Sequence, residues 1–254
     1  MRYACILLSL TLTGCAASYA VPGPAAKLEA FGAGARVNAT DSPIRDALAK
    51  KPLASFPTGI AVARVQGTPY CSNTVQTWGR GRYCVVTTRD IEKDEHVERL
   101  RKMQMVEGIA PMNRLLLPVD LNSDLELRQA AAHLHADMLL IYTIDTNFTV
   151  DDKAAPLTVI SLGLSPNQIA RVNCTASALL MDTRNGYIYG VAEASDRSSQ
   201  LANAWTSEQA VDDARRRVES RAFEKLVAEL EKTWSGVVHQ YASLGPAGPK
   251  YATQ

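Results

Sequence analysis

The chain has 254 residues, 46% of them hydrophobic, with 27 lysines and arginines against 26 aspartates and glutamates. That length supports one sizeable folded body with its own core. So even a charge balance gives no electrostatic basis for binding nucleic acid or any other acidic polymer.

The first element is a leader. Met1 to Gly14 has one basic residue, Arg2, then an apolar run from Ala4 to Leu12, then small residues ahead of Cys15. The run falls short of the roughly 20 apolar residues that a membrane-crossing helix needs. Leu12-Thr13-Gly14-Cys15 resembles the lipobox of bacterial lipoproteins. The resemblance implies cleavage before Cys15, a diacylglycerol on its thiol and an acylated amino group. Each buried methylene contributes about 0.8 kcal/mol, and two lipid signals already suffice for stable anchoring. Ala16 stands where inner-membrane retention uses aspartate, so the expected site is the periplasmic face of the outer membrane. The competing reading is a cleaved secretory signal followed by a chance cysteine. Removing Arg2 with the leader leaves 26 basic residues against 26 acidic ones.

Of the five cysteines, at 5, 15, 71, 84 and 174, the first leaves with the leader and the second is lipidated. In an oxidising compartment the remaining three suggest one pair and one left over. Cys71 and Cys84 bracket a loop of turn formers, Ser72-Asn73-Thr74 and Gly79-Arg80-Gly81, and are expected to pair. Closing a loop of about 15 residues is worth roughly 3 kcal/mol in the chain-entropy model. The rival is a thiol nucleophile assisted by His96. Cys174 lies in an alternating apolar stretch and reads as a small buried hydrophobe.

Residues 15–40 are mostly Ala, Gly and Pro and read as a tether, with a mean reach on the order of 25 Å for about 20 flexible residues. The folded body is expected over 41–242, and 243–254 reads as a loose tail. Ser42-Pro43 opens a short helix to Lys50, proline sitting in the first turn where its missing N–H costs nothing. Thr58 to Gln66 alternates and predicts a strand. Arg82 to Thr88 predicts its hairpin partner. Asp90 is expected to cap a charged helix through Met103, and Ile109 to Val119, broken by Pro111 and Pro118, to be extended and at an edge.

Ser123 with Glu126 forms a capping box for a helix to about His135. His133 and His135, two apart, face different sides of a helix and do not form a metal pair, so no metal or other cofactor is expected. Met138 to Tyr142 is a continuous apolar run suited to a central strand, passing into alternation through Val150. The stretch from Ala155 to Gln168 carries Leu157, Val159, Ile160, Leu162 and Leu164, a candidate partner-contact segment. Val172 to Leu180 and Tyr187 to Ala194 flank Asp182-Thr183-Arg184-Asn185-Gly186, where Asn-Gly offers positive φ cheaply. Thr206 with Gln209 starts the longest helix, whose apolar stripe runs from Val211 to Trp234, with Gly236 as its expected stop. The fold class predicted is α/β (α+β), a mixed and largely antiparallel sheet packed by helices that include this long C-terminal amphipathic one.

Two local signatures carry a further resemblance. One is Leu127-Arg128-Gln129-Ala130-Ala131 leading into Ala136-Asp137-Met138-Leu139-Leu140-Ile141. The other is Ala178-Leu179-Leu180-Met181-Asp182 through Gly186-Tyr187-Ile188-Tyr189. They resemble the periplasmic α/β domain shared by the curli-secretion lipoprotein CsgG, the penicillin-binding-protein activator lipoproteins and the amino-terminal domain of TolB. Over Thr58 to Val238 the likeness is closer to the rhombotarget lipoproteins, although their Gly-Gly sorting tail is absent after Gly245. What the resemblance implies is an α/β domain with no catalytic residues to transfer.

The expected function is therefore that of a non-enzymatic outer-membrane lipoprotein, anchored by lipid and acting on an envelope protein partner as an adaptor or assembly factor. Two alternatives stand beside it. One is an oligomeric secretion or channel component similar to CsgG. The other is an enzyme, although Gly-x-Ser-x-Gly, His-Glu-x-x-His and glycine-rich phosphate loops are missing from the sequence.

Overall fold

A computed structural model of the chain describes Ala25 and residues 42–68, 70, 72, 74–152, 168–201 and 208–242. The leader, Cys15, Cys71, the Leu157–Leu164 segment, Thr206 and the tail lie outside the described residues.

In chain order, α1 (Ser42–Ala49) precedes β1 (Thr58–Gly67), the strand on which the sheet is built. Two short strands, β2 (Thr77–Trp78) and β3 (Arg80–Gly81), lie within the loop that leads to β4 (Tyr83–Val86). Next come α2 (Asp94–Arg101), β5 (Val106–Pro111), β6 (Asp120–Leu121) and α3 (Asp124–His133). Three long strands follow, β7 (Met138–Asp152), β8 (Gln168–Asp182) and β9 (Ile188–Leu201), and then the 34-residue α4 (Glu208–Tyr241).

The main sheet runs β2-β4-β1-β7-β8-β9, with β5 also on β1. Pairings of β1 with β5 and β7 are parallel and the rest of this sheet is antiparallel. This is the mixed, mostly antiparallel sheet with a long C-terminal helix that the sequence predicts. β1 and β4 form the expected antiparallel pair, from Arg64↔Val86 to Gly67↔Tyr83. β5 ends at Pro111, whose absent N–H costs this ladder nothing, because the next amide, Met112 N, donates to Val62 O at 2.9 Å. β3 pairs with β6 in a separate two-stranded ladder, and a Cβ on Gly81 (φ 115°) would stand 2.5 Å from Leu121 O, so the close approach requires glycine.

β1 and β7 pair from Ile60↔Met138 to Ala63↔Ile141 and then diverge. The side chain of Gln66 replaces the lost ladder: Nε2 donates to Ile144 O at 2.9 Å, and Oε1 accepts from Thr143 Oγ1 at 2.8 Å. On its backbone, Gln66 also bridges antiparallel to Ala25, so the stretch expected to be a tether touches the sheet at that residue.

Both sheet faces are covered. Ile60, Met138, Leu140, Ile144, Val172, Cys174 and Leu180 meet the stripe of α4, from Val218 through Leu226 to Val237. On the opposite face Ala61, Val65, Val85, Leu139 and Ile141 meet Leu127, Ala130 and Ala131 of α3. Full burial of each large side chain contributes about 1.5–3 kcal/mol, so two covered faces account for a stable body. The α3 capping box forms as predicted, with Ser123 Oγ accepting from Leu125 N and Glu126 Oε2 accepting from Ser123 N.

Two helix boundaries differ from expectation. α4 passes through Gly236 to Tyr241. Glycine within a helix costs about 1 kcal/mol relative to alanine, less than the burial of Trp234 and Val237 on either side supplies. And Asp90 does not cap α2, which begins at Asp94. Its carboxylate is turned inward to Arg64.

Candidate functional site

β4 and β5 share the same edge of β1. β5 follows it from Thr58 to Val62, and β4 joins from Arg64 onward. The edge is therefore split at Val62–Arg64. Beneath the split, on the α4 side, lies a cleft of about 420 Å³. Val62, Leu100, Ile109, Leu140 and Phe223 provide its apolar walls, and Arg64, Glu92, His96 and Tyr142 its polar groups. α2 forms one wall. It is tied to α4 by a bidentate pair, with Arg99 Nη2 2.7 Å from Glu231 Oε2 and Arg99 Nε 3.0 Å from Glu231 Oε1.

The polar floor belongs to a network of buried charges. Arg64 is 3% exposed, and its Nη1 meets Asp90 Oδ1 at 2.8 Å and Glu92 Oε1 at 3.1 Å. Tyr142 Oη donates to the same Glu92 oxygen at 2.8 Å. Glu92 Oε2 accepts from the amides of Asp90 and Ile91. Thr74 links this group to a second one, donating to Asp90 Oδ2 at 3.0 Å while accepting from Arg215 Nη2 at 3.1 Å. Arg215 is fully buried and holds Glu219 at 2.6 Å and Asp212 at 2.8 Å. Glu219 in turn accepts from Thr146 of β7 at 2.7 Å.

Burial opposes the charge on Arg64, but Glu92, Tyr70, Tyr142 and Asp90 outweigh it and raise its pKa, so the guanidinium stays charged. Burial, and then Glu92, push the Tyr142 phenol well above its ordinary range. His96 accepts from Lys93 N through Nδ1 at 3.3 Å, which puts the proton of the neutral ring on Nε2. Burial, and then the charge of Lys93, lower its pKa. Its ring packs edge-on to Phe223 at 5.3 Å. The cleft thus offers an apolar chamber with a few fixed polar groups, the composition of a ligand pocket.

No family model and no curated protein matches this chain. Among solved structures it is similar to a candidate lipoprotein of Caulobacter crescentus CB15, at 14% identity over 44% of this chain and 81% of the other, with a TM-score of 0.27. It is also similar to lipoprotein GNA1162 of Neisseria meningitidis, at 11% identity over 57% of this chain and 85% of the other, TM-score 0.28. The protein CT253 of Chlamydia trachomatis matches at 11% identity over 69% of this chain and 96% of its own, TM-score 0.29.

The expected Cys71–Cys84 staple is not seen. Cys84 is a free thiol, 3% exposed, and donates to Gln66 O at 3.6 Å, while Cys71 lies outside the described residues. Cys84 stands opposite Gln66 in the β1–β4 pair and packs with Tyr70 and Val86; its pairing with Cys71 lies outside the described residues. Burial raises its pKa to about 11, which leaves almost no thiolate for nucleophilic work at neutral pH. Cys174 is the small buried hydrophobe expected, 1% exposed and raised to about 12 by burial and then by Glu219. His133 ends α3, and His135 lies beyond it at φ 55°, so the two do not share a helix.

Sequence reasoning did not find Arg64, Asp90, Glu92, Arg215 or Glu219. A signal for the first was present, since Arg64 continues the Ile60–Val62 parity of β1, an arginine at a core position. Arg215 and Glu219, four apart, border the α4 stripe at Val211, Ala214 and Val218.

Proposed function

We propose that this chain is a lipoprotein of the bacterial envelope, held by lipid on Cys15 at the periplasmic face of the outer membrane, and that it works by binding an envelope partner rather than by catalysis. Leu12-Thr13-Gly14-Cys15 is the observation that carries the anchor. Among the described residues no helix is long and apolar enough to cross a membrane. The cleft beneath the split edge of β1 supports the binding role. Its walls are mainly apolar, and its buried acid Glu92, together with Asp90 outside the lining, already neutralises Arg64 and accepts several hydrogen bonds. A chamber of this kind suits an apolar side chain of a partner, steered by the rim charges Arg89, Asp94, Glu98 and Arg101.

Intact-mass analysis of the protein from its native host tests the anchor. The expected species begins at Cys15 and carries the diacylglycerol and acyl masses; an uncut or unmodified terminus ends the proposal. For the binding role, a photo-crosslinker at Val97 on the cleft wall should capture one envelope protein in living cells, and Ile109→Trp, which fills the chamber, should abolish that product. Capture unaffected by filling the cleft would remove the cleft from the binding role.

A further inference from the structure

We propose that two copies of this chain join edge to edge through β9, antiparallel and centred on Ser195. β9 ends the main sheet, paired with β8 on one side and, among the described residues, with no strand on the other. Exposed strand edges are normally blunted by prolines, bulges, short length or charged side chains. β9 has 14 residues and no proline, and its register with β8 is unbroken from Gly190 to Leu201.

The charges on this edge select one pairing. α4 covers one face of β9, where Tyr189 and Ala192 are buried and Asp196 is bound by Arg221 at 2.6 Å and Lys225 at 2.7 Å. The other face presents Val191, Glu193, Ser195, Arg197 and Ser199 as an exposed row. Glu193 accepts from Ser177 Oγ at 2.9 Å, and among the described residues Arg197 has no ion-pair partner. A two-fold axis perpendicular to the sheet keeps both α4 helices on one side, so exposed residues oppose exposed residues.

Centred on Ser195, this arrangement sets Glu193 opposite the partner subunit's Arg197, and Arg197 opposite the partner subunit's Glu193. It also aligns Gly190–Gln200 of both copies, nearly the whole regular run of the strand. Centring on Glu193, Asp196 or Arg197 would put each of those charges against its own copy, and centring on Ala194 makes no charge pair. Opposite charges across a strand pair are stabilising and like charges destabilising, so the pattern specifies the register. Lys225 Nζ, which reaches Ser195 O at 3.2 Å, would give up that contact to a backbone amide while keeping Asp196.

The full lipidated chain in detergent tests this. Ser195 would face itself with Cα atoms about 4.5–5.5 Å apart, within disulfide reach. Ser195→Cys should therefore give a covalent homodimer under mild oxidant where the unaltered chain does not. Native mass spectrometry should find the unaltered chain dimeric. Glu193→Arg or Arg197→Glu alone, each making two like-charge pairs, should weaken the dimer about tenfold or more. The double variant E193R/R197E should restore it, which loss of folding would not. A chain monomeric at every concentration, a Ser195→Cys variant that links to a different envelope protein, or a double variant as weak as the single ones would overturn the proposal.

Discussion

Tyr189 Oη lies 2.8 Å from Asp182 Oδ2 and also accepts the amide of Ala54 at 3.0 Å. The same Asp182 oxygen accepts from Leu53 N at 2.8 Å, and Asn185 Nδ2 holds Lys51 O at 2.7 Å. Asp137 accepts from Ser55 Oγ at 2.8 Å and pairs with Arg184. The two aspartates of the signatures that resemble periplasmic α/β domains thus clamp the segment entering β1. Tyr189→Phe should cost about 1–2 kcal/mol, one buried hydrogen bond and its unsatisfied partners. Asp182→Ala, which strands three donors, should cost about 3 kcal/mol. Urea unfolding measures both, and hydrogen exchange at Leu53 and Ala54 should accelerate in each variant. Unchanged exchange there would show that the clamp does not hold the segment.

The pair Arg215–Glu219 should show the asymmetry of buried ions. Arg215→Met alone leaves Glu219 buried without its cation and should destabilise by about 3–5 kcal/mol. Adding Glu219→Leu should recover most of that loss, because two well-packed apolar side chains remove the uncompensated charge. A double-mutant cycle in urea decides it: additive losses would mean that the two side chains do not act as a pair.

Stability should fall on mild acidification through His96. Burial, and then Lys93, depress its folded-state pKa, with Glu224 acting in the opposite direction. The unfolded chain takes up this proton near pH 6.5, whereas the folded chain resists it. Its contribution is therefore fully present above about pH 6.5 and is lost as pH falls from there through the folded value. His96→Gln, which keeps an acceptor for Lys93 N, should flatten the decline in urea midpoint between about pH 7 and pH 5. Parallel declines in the two proteins would assign the acid sensitivity elsewhere.

Neither Cys84 nor Cys174 should react with a thiol reagent at about pH 8 in the folded protein. Burial raises them to about 11 and about 12, so only about one thiol in a thousand or fewer is ionised, and access is closed. Both should label fully in denaturant. Peptide mapping without reductant tests the state of Cys84: a Cys71–Cys84 peptide would show the staple, and a free Cys84 peptide its absence.

Where a structural signal lies within a few residues, the sequence determined it. The α3 capping box joins Ser123 to Glu126, the β8–β9 turn rests on Gly186 at φ 70°, and the α4 stripe follows from a repeat of three or four residues. The lipobox is likewise local. What tertiary structure decided depends on partners distant along the chain. Arg64 meets Asp90 across 26 residues, Arg99 meets Glu231 across 132, and Arg215 meets Thr74 across 141. An arginine in a strand or an aspartate before a helix carries the same local signature whether water or a buried counter-ion receives it. That is why Asp90 reads as a cap and folds as an ion-pair partner. The cleft arises the same way: only in the assembled sheet do β4 and β5 divide one edge of β1 between them, leaving the space over Arg64. Periodicity fixes which face of an element is apolar, and the packing of remote elements fixes which charges that face has to accommodate.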